Sequence, residues 1–219
     1  MQLANRTTNH LTVLIGQVVL ATAVYGAVLG IWRSPLMAVY VAVKLPVVFV
    51  ASTLVVSVFG WMVGLVVGSE QKYGEVLAAV FSAMATAGRI LLALAPVVLY
   101  FILTGAPDEG SRATMRFAHA CMMFGHIVVF SVAGLVGNCM LYRDLARRVP
   151  ANCHLKMMMV LWLSSFAIVG CQLGWMARPL VGSPNIAVEF VREDALESNF
   201  LESFFGQIIP HIIRKGEVK

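Results

Sequence analysis

Charge is what this chain has least of. Asp, Glu, Lys and Arg make up 12% of its 219 residues, about half the usual share in a soluble domain. Such a chain cannot cover its apolar surface with polar side chains, which excludes a cytosolic enzyme, a secreted disulfide module and a disordered tail. The four cysteines (Cys121, Cys139, Cys153, Cys171) show no CxxC or CxxCH spacing, so neither a zinc site nor covalent haem attachment is signalled. Strand-like alternation is lacking, as are HExxH, GxSxG and a glycine-rich phosphate loop. The long apolar runs contain no carboxylate, which removes a membrane-embedded acid–base pair. The expectation is a protein that is not an enzyme.

What is present is apolar length. Hydrophobic residues reach 59% and mean hydropathy is +0.84. A spanning helix needs about 20 mostly apolar residues. Five stretches qualify: residues 11–31, 46–67, 76–106, 117–142 and 157–177. Unpaired backbone is intolerable in hydrocarbon, and runs this continuous are helices rather than barrel strands. The predicted fold class is all-α: a five-helix integral membrane bundle over residues 1–181, then an interfacial tail over 182–219. The first run outlasts a signal-peptide core and is expected to be a retained helix. Five spans put the termini on opposite sides. The dense basic cluster Arg143, Arg147 and Arg148 favours an N-terminus inside, in a bacterial inner membrane. The formal charge of +5 is spread along the chain, which suits a lipid bilayer with anionic headgroups and argues against nucleic acid.

Small residues indicate how helices approach one another. Gly26 and Gly30, then Gly60, Gly64 and Gly68, then Gly170 and Gly174 recur at spacing four, which makes flat grooves for close packing. Ser34-Pro35 reads as a helix start, so that helix runs through Lys44 to meet Pro46, with Lys44 reaching a headgroup or a freed carbonyl.

Three features carry chemistry. Arg89 interrupts the third run, and a mid-bilayer charge costs about 2.5–3.5 kcal/mol on insertion scales, so it needs a partner, water or a route to the interface. As a function it would be a gate or an anion contact. His119 and His126 share one helix face, roughly 10.5 Å apart, too far for one metal. Each could instead hold a separate haem or chlorophyll-type pigment. The commoner role of such histidines is packing or hydrogen bonding inside the bundle, and no cofactor is required by the sequence. In the tail, Trp175 and Arg178 close the last span, and Leu196, Phe200, Phe204, Phe205 and Ile208 form one apolar helical face. Its flanking carboxylates turn that amphipathic helix toward another membrane-protein subunit rather than anionic lipid.

Ser34-Pro35-Leu36 with Tyr40, Lys44 and Pro46, followed by Trp175-x-x-Arg178-Pro179-x-x-Gly182-Ser183-Pro184 and Asn199-Phe200-x-Glu202, resembles a group of polytopic bacterial membrane proteins. The five-span layout with a proline-bearing second span is similar to Yip1-type membrane proteins. This resemblance implies a non-enzymatic membrane protein and carries over no catalytic or cofactor residues. The functional expectation is an accessory or scaffolding subunit of a larger membrane assembly. The alternatives are a small channel or transporter using Arg89 and a pigment- or haem-binding subunit using His119 and His126.

Overall fold

A computed structural model describes the backbone of residues 2–104, 112–150, 153–180 and 188–191, with side chains in α1 from residue 9 and in α4 from residue 121. Five helices follow one another: α1 (Gln2–Ile31), α2 (Pro35–Val66), α3 (Tyr73–Thr104), α4 (Arg112–Arg148) and α5 (Leu155–Met176). All five are long and apolar enough to cross a membrane, so the chain is a multi-pass membrane protein. The described residues contain no strand. The predicted tail helix with Leu196, Phe200, Phe204, Phe205 and Ile208 lies outside the described residues.

Helix limits follow local chemistry. Ser34 is extended, and its Oγ accepts the Met37 N–H at 3.1 Å while Pro35 occupies the first turn. Pro46 is absorbed inside α2, which runs 32 residues, about 48 Å. At the other end Gly68 takes φ +88°, the Gly68 N–H reaches the Leu65 carbonyl and the Ser69 N–H reaches the Gly64 carbonyl. That is a Schellman closure, whose left-handed residue favours glycine. Gly68 is therefore a turn residue beyond α2 and not the third member of a packing stripe. Glu75, in the first turn of α3, accepts the Lys72 N–H at 3.1 Å. The dense basic cluster forms the last turns of α4, where Arg148 pairs with Asp144 at 2.8 Å. Arg147 and Arg148 there face the negative end of the helix dipole.

Packing divides into two linked clusters. One gathers Val18, Val56, Phe81, Leu145, Met158 and Trp162; the other gathers Tyr25, Met37, Val41, Leu91 and Ala133. Phe49 packs against both. Three hydroxyls inside the apolar frame bond back to their own helix: Thr22 to the Val18 carbonyl (2.7 Å), Thr53 to Phe49 (2.6 Å) and Ser57 to Leu54 (2.8 Å). They satisfy themselves without calling for water.

The glycines sort into three groups. A Cβ at Gly26 or Gly30 would meet α2 backbone, and one at Gly60 would collide with the Trp162 ring. At Gly64 the nearest atoms, Ser69 Cβ and Met158 Sδ, lie at an ordinary 3.5 and 3.7 Å. Gly170 and Gly174 have no described atom within 4 Å of a Cβ, so their face of α5 packs against nothing in the described bundle.

Candidate functional site: a polar layer across the bundle

The helix registers bring the polar residues of the spans to one level. Gly26 sits on Val41, so Lys44, three residues along antiparallel α2, is level with Ala23 of α1. Gly60 lies on Trp162 and Gly64 beside Met158, which puts residue 178 level with Lys44. Gly88 lies beside Ala21, so Arg89 is level with Thr22. Ala23 is eight residues before the end of α1 at Ile31, about 12 Å inside the helix frame.

Tyr25 and His126 form the buried part of this layer. The Tyr25 hydroxyl and His126 Nδ1 are 2.9 Å apart, and the rings meet edge-on with centroids at 5.8 Å. Phe130 closes on Tyr25 from the other side at 5.3 Å. Tyr25 is fully buried and His126 is 4% exposed, yet His126 Nε2 has no hydrogen-bond partner among the described residues. An imidazole with one nitrogen held and the other buried and open is built to hold a proton on one side or to offer a lone pair on the other. The His119 side chain lies outside the described residues.

Lys44 is 5% exposed, and its Nζ donates to the Pro179 carbonyl at 3.2 Å. The same ammonium lies 5.0 Å from the Phe190 ring centroid, and Phe190 stands edge-on to Tyr40 at 5.2 Å. The expected partner was a headgroup or a carbonyl freed by Pro46; Lys44 instead reaches the Pro179 carbonyl, 135 residues away. Alpha-5 ends here because Pro179 has no N–H and biases Arg178 away from helix. The Arg178–Pro179 peptide is cis. Arg178 folds onto Trp175, with Cζ 3.5 Å from the ring and Nε donating to the Trp175 carbonyl at 2.8 Å. The end of α5 is thus level with Lys44, nine residues into α2, and non-helical backbone there is acceptable because protein covers it.

Lys44→Met tests that cover, since methionine keeps the stem and removes the donor. Leaving the Pro179 carbonyl unpaired should cost about 1–3 kcal/mol. The expected result is faster hydrogen exchange in peptides covering 177–191, with α1 and α3 unchanged. Unchanged exchange at 177–191 would show that this contact holds nothing in place.

Arg89 completes the layer on its outside. It stands 16 residues after Tyr73 and 15 before Thr104, on the exposed face of α3. Its Nη2 donates to Thr86 Oγ1 at 2.9 Å, one turn back along the same helix. From Thr86 another 13 residues, about 20 Å, remain to Tyr73, so the guanidinium does not reach the polar end. No group of three or more His, Cys, Asp or Glu able to hold a metal occurs among the described residues. Compared with protein-family models, curated proteins and solved structures, the chain matches none.

Proposed function

We propose that this multi-pass membrane protein is a non-enzymatic accessory or scaffolding subunit of a larger membrane assembly, joined to its neighbour through the α3 face that carries Arg89. The observation that carries this reading is a guanidinium at the centre of a spanning helix, exposed on the outside of the bundle, with a single hydroxyl as its described partner. Hydrocarbon cannot solvate that group, and charged side chains inside membranes pair with one another or face water. The uncovered small-residue face at Gly170 and Gly174 and the predicted apolar tail face fit the same reading, as does the resemblance to Yip1-type proteins. A bacterial inner membrane with the N-terminus inside suits the basic end of α4, which gathers Arg143, Arg147 and Arg148.

The channel alternative has less support within one chain, because Arg89 points outward and does not line the interior. The pigment or haem alternative draws on His126, whose Nδ1 is engaged by Tyr25 while Nε2 has no partner among the described residues.

Purification in mild detergent followed by native mass measurement tests the assignment. The wild-type chain should run as part of a complex larger than its own 23.8 kDa. Arg89→Gln should release it, at equal expression and helicity. An Arg89→Gln protein that keeps the full assembly mass would remove the α3 face from the interface. Visible absorption bands in the same sample, lost in a His126→Leu variant, would move the assignment to the pigment or haem reading.

A further inference from the structure

The partner of Arg89 can be narrowed by depth. The sequence has 11 acidic residues, and the described ones are Glu70, Glu75, Asp144 and Glu189. Glu75 is 14 residues from Arg89 on the same helix, about 21 Å, and Glu70 precedes it further still. Gly137 lies against Ala83, so Asp144 on antiparallel α4 is level with Val76, again about 20 Å away. Glu189 is different. Its neighbour Phe190 is fixed between Tyr40 and Lys44, which are level with residues 27 and 23 of α1. Arg89 is level with residue 22, so the two charges stand about one helical turn apart in height.

Both are exposed, and neither is in an ion pair among the described residues, where the one such pair is Arg148–Asp144. Among those residues, no hydrogen bond or ion pair reaches Glu189. Two opposite charges at matching depth on the outside of one bundle are complementary to a second copy inserted in the same sense. In a two-fold dimer the pair would form twice, Arg89 of each copy on Glu189 of the other.

We propose that the chain self-associates in the membrane through intermolecular Arg89–Glu189 ion pairs. This rests on the subunit reading above and names a second copy as the neighbour. It gives α3 and the 188–191 segment one shared role, and it explains how a charge survives on a face where no described carboxylate of the same chain pairs with it.

The test is charge exchange in the full-length protein. Wild type, Arg89→Glu, Glu189→Arg and the double exchange are labelled and reconstituted in liposomes, and self-association is read by energy transfer on lipid dilution. Circular dichroism checks that each variant keeps its helix content. Wild type should associate, and each single variant should associate roughly tenfold or more weakly, because it places like charges together. The double exchange should recover most of the wild-type association, a result that loss of folding cannot produce. Single variants that weaken association without recovery in the double exchange would overturn the pair. A wild-type chain that stays monomeric in lipid would overturn self-association. If Arg89→Gln still detaches that monomer from a heteromeric complex in detergent, the subunit reading stands while this one falls. Should neither the mass nor the energy transfer respond to Arg89, both fall together.

Discussion

Gly60→Ala is expected to lower stability by about 1–3 kcal/mol, the cost of overpacking a filled site, and Gly60→Leu by more. The added Cβ would collide with the Cζ3 and Cε3 atoms of Trp162. Trp162 is 2% exposed and belongs to the cluster that joins α2, α3 and α5, so its ring has no free volume to retreat into. Alpha-5 buries only Met158, Met159 and Trp162, all in its N-terminal half, so displacing Trp162 loosens most of its hold on α2. Two neighbours make the comparison internal. Gly64→Ala adds a methyl at ordinary contact distance, and Gly170→Ala adds one into open space. The first should be nearly neutral. The second should be neutral or slightly stabilising, because alanine is favoured over glycine by roughly 0.8–1 kcal/mol in a helix interior. Thermal melting in one detergent should therefore rank Gly60→Ala far below the other two. Equal melting temperatures across the three would mean that Trp162 does not occupy the groove.

The same residues show how far sequence reasoning reaches. Spacing four marks a flat helix face, but it carries no information on which way that face points. Gly60 and Gly170 therefore looked alike, although one faces an indole and the other has no described atom within 4 Å of a Cβ. The third glycine of the run, Gly68, is spaced like the others but lies past Val66, where its positive φ ends the helix. Span number and class were legible because length and apolarity are properties of single segments. Ser34 and Pro35 were legible because capping is local. The Tyr25–His126 bond joins residues 101 apart, and only the register of the helices brings them together. A tyrosine inside an apolar run was the available signal, since a buried hydroxyl has to find a partner. For Arg89 the sequence exposed the problem and the structure located it: centre of α3, facing out. The interruption at Arg89 could not separate a short third span from a full one; the continuous helix from Tyr73 to Thr104 does.

The α1–α2 hairpin is where a small change should have the widest consequence. A Cβ at Gly30 would stand 2.5 Å from the Met37 carbonyl oxygen and 2.6 Å from Ala38 Cα. At Gly26 it would stand 2.6 Å from the Val41 carbonyl oxygen. These neighbours are backbone and cannot rotate aside, and the helices are tied by a turn in which the Arg33 N–H bonds the Gly30 carbonyl at 3.1 Å. The helices must separate, and the separation falls on fully buried Met37 and Val41. Gly30→Ala should cost at least about 1–3 kcal/mol, and Gly26→Leu with Gly30→Leu should exceed that and prevent stable packing. The effect should also travel. Tyr25 is adjacent to Gly26 and bonded to His126, so moving α1 away from α2 shifts the hydroxyl that holds α1 to α4. A cycle with Tyr25→Phe measures this coupling. In the wild-type background Tyr25→Phe should cost about 1–3 kcal/mol, because it leaves a second buried nitrogen of His126 without a partner. In the Gly30→Ala background that cost should shrink, because the hydrogen bond is already strained or broken. Strict additivity of the two substitutions in melting free energy would mean that the hairpin and the Tyr25–His126 bond are independent, and that the polar layer is not a single packed unit.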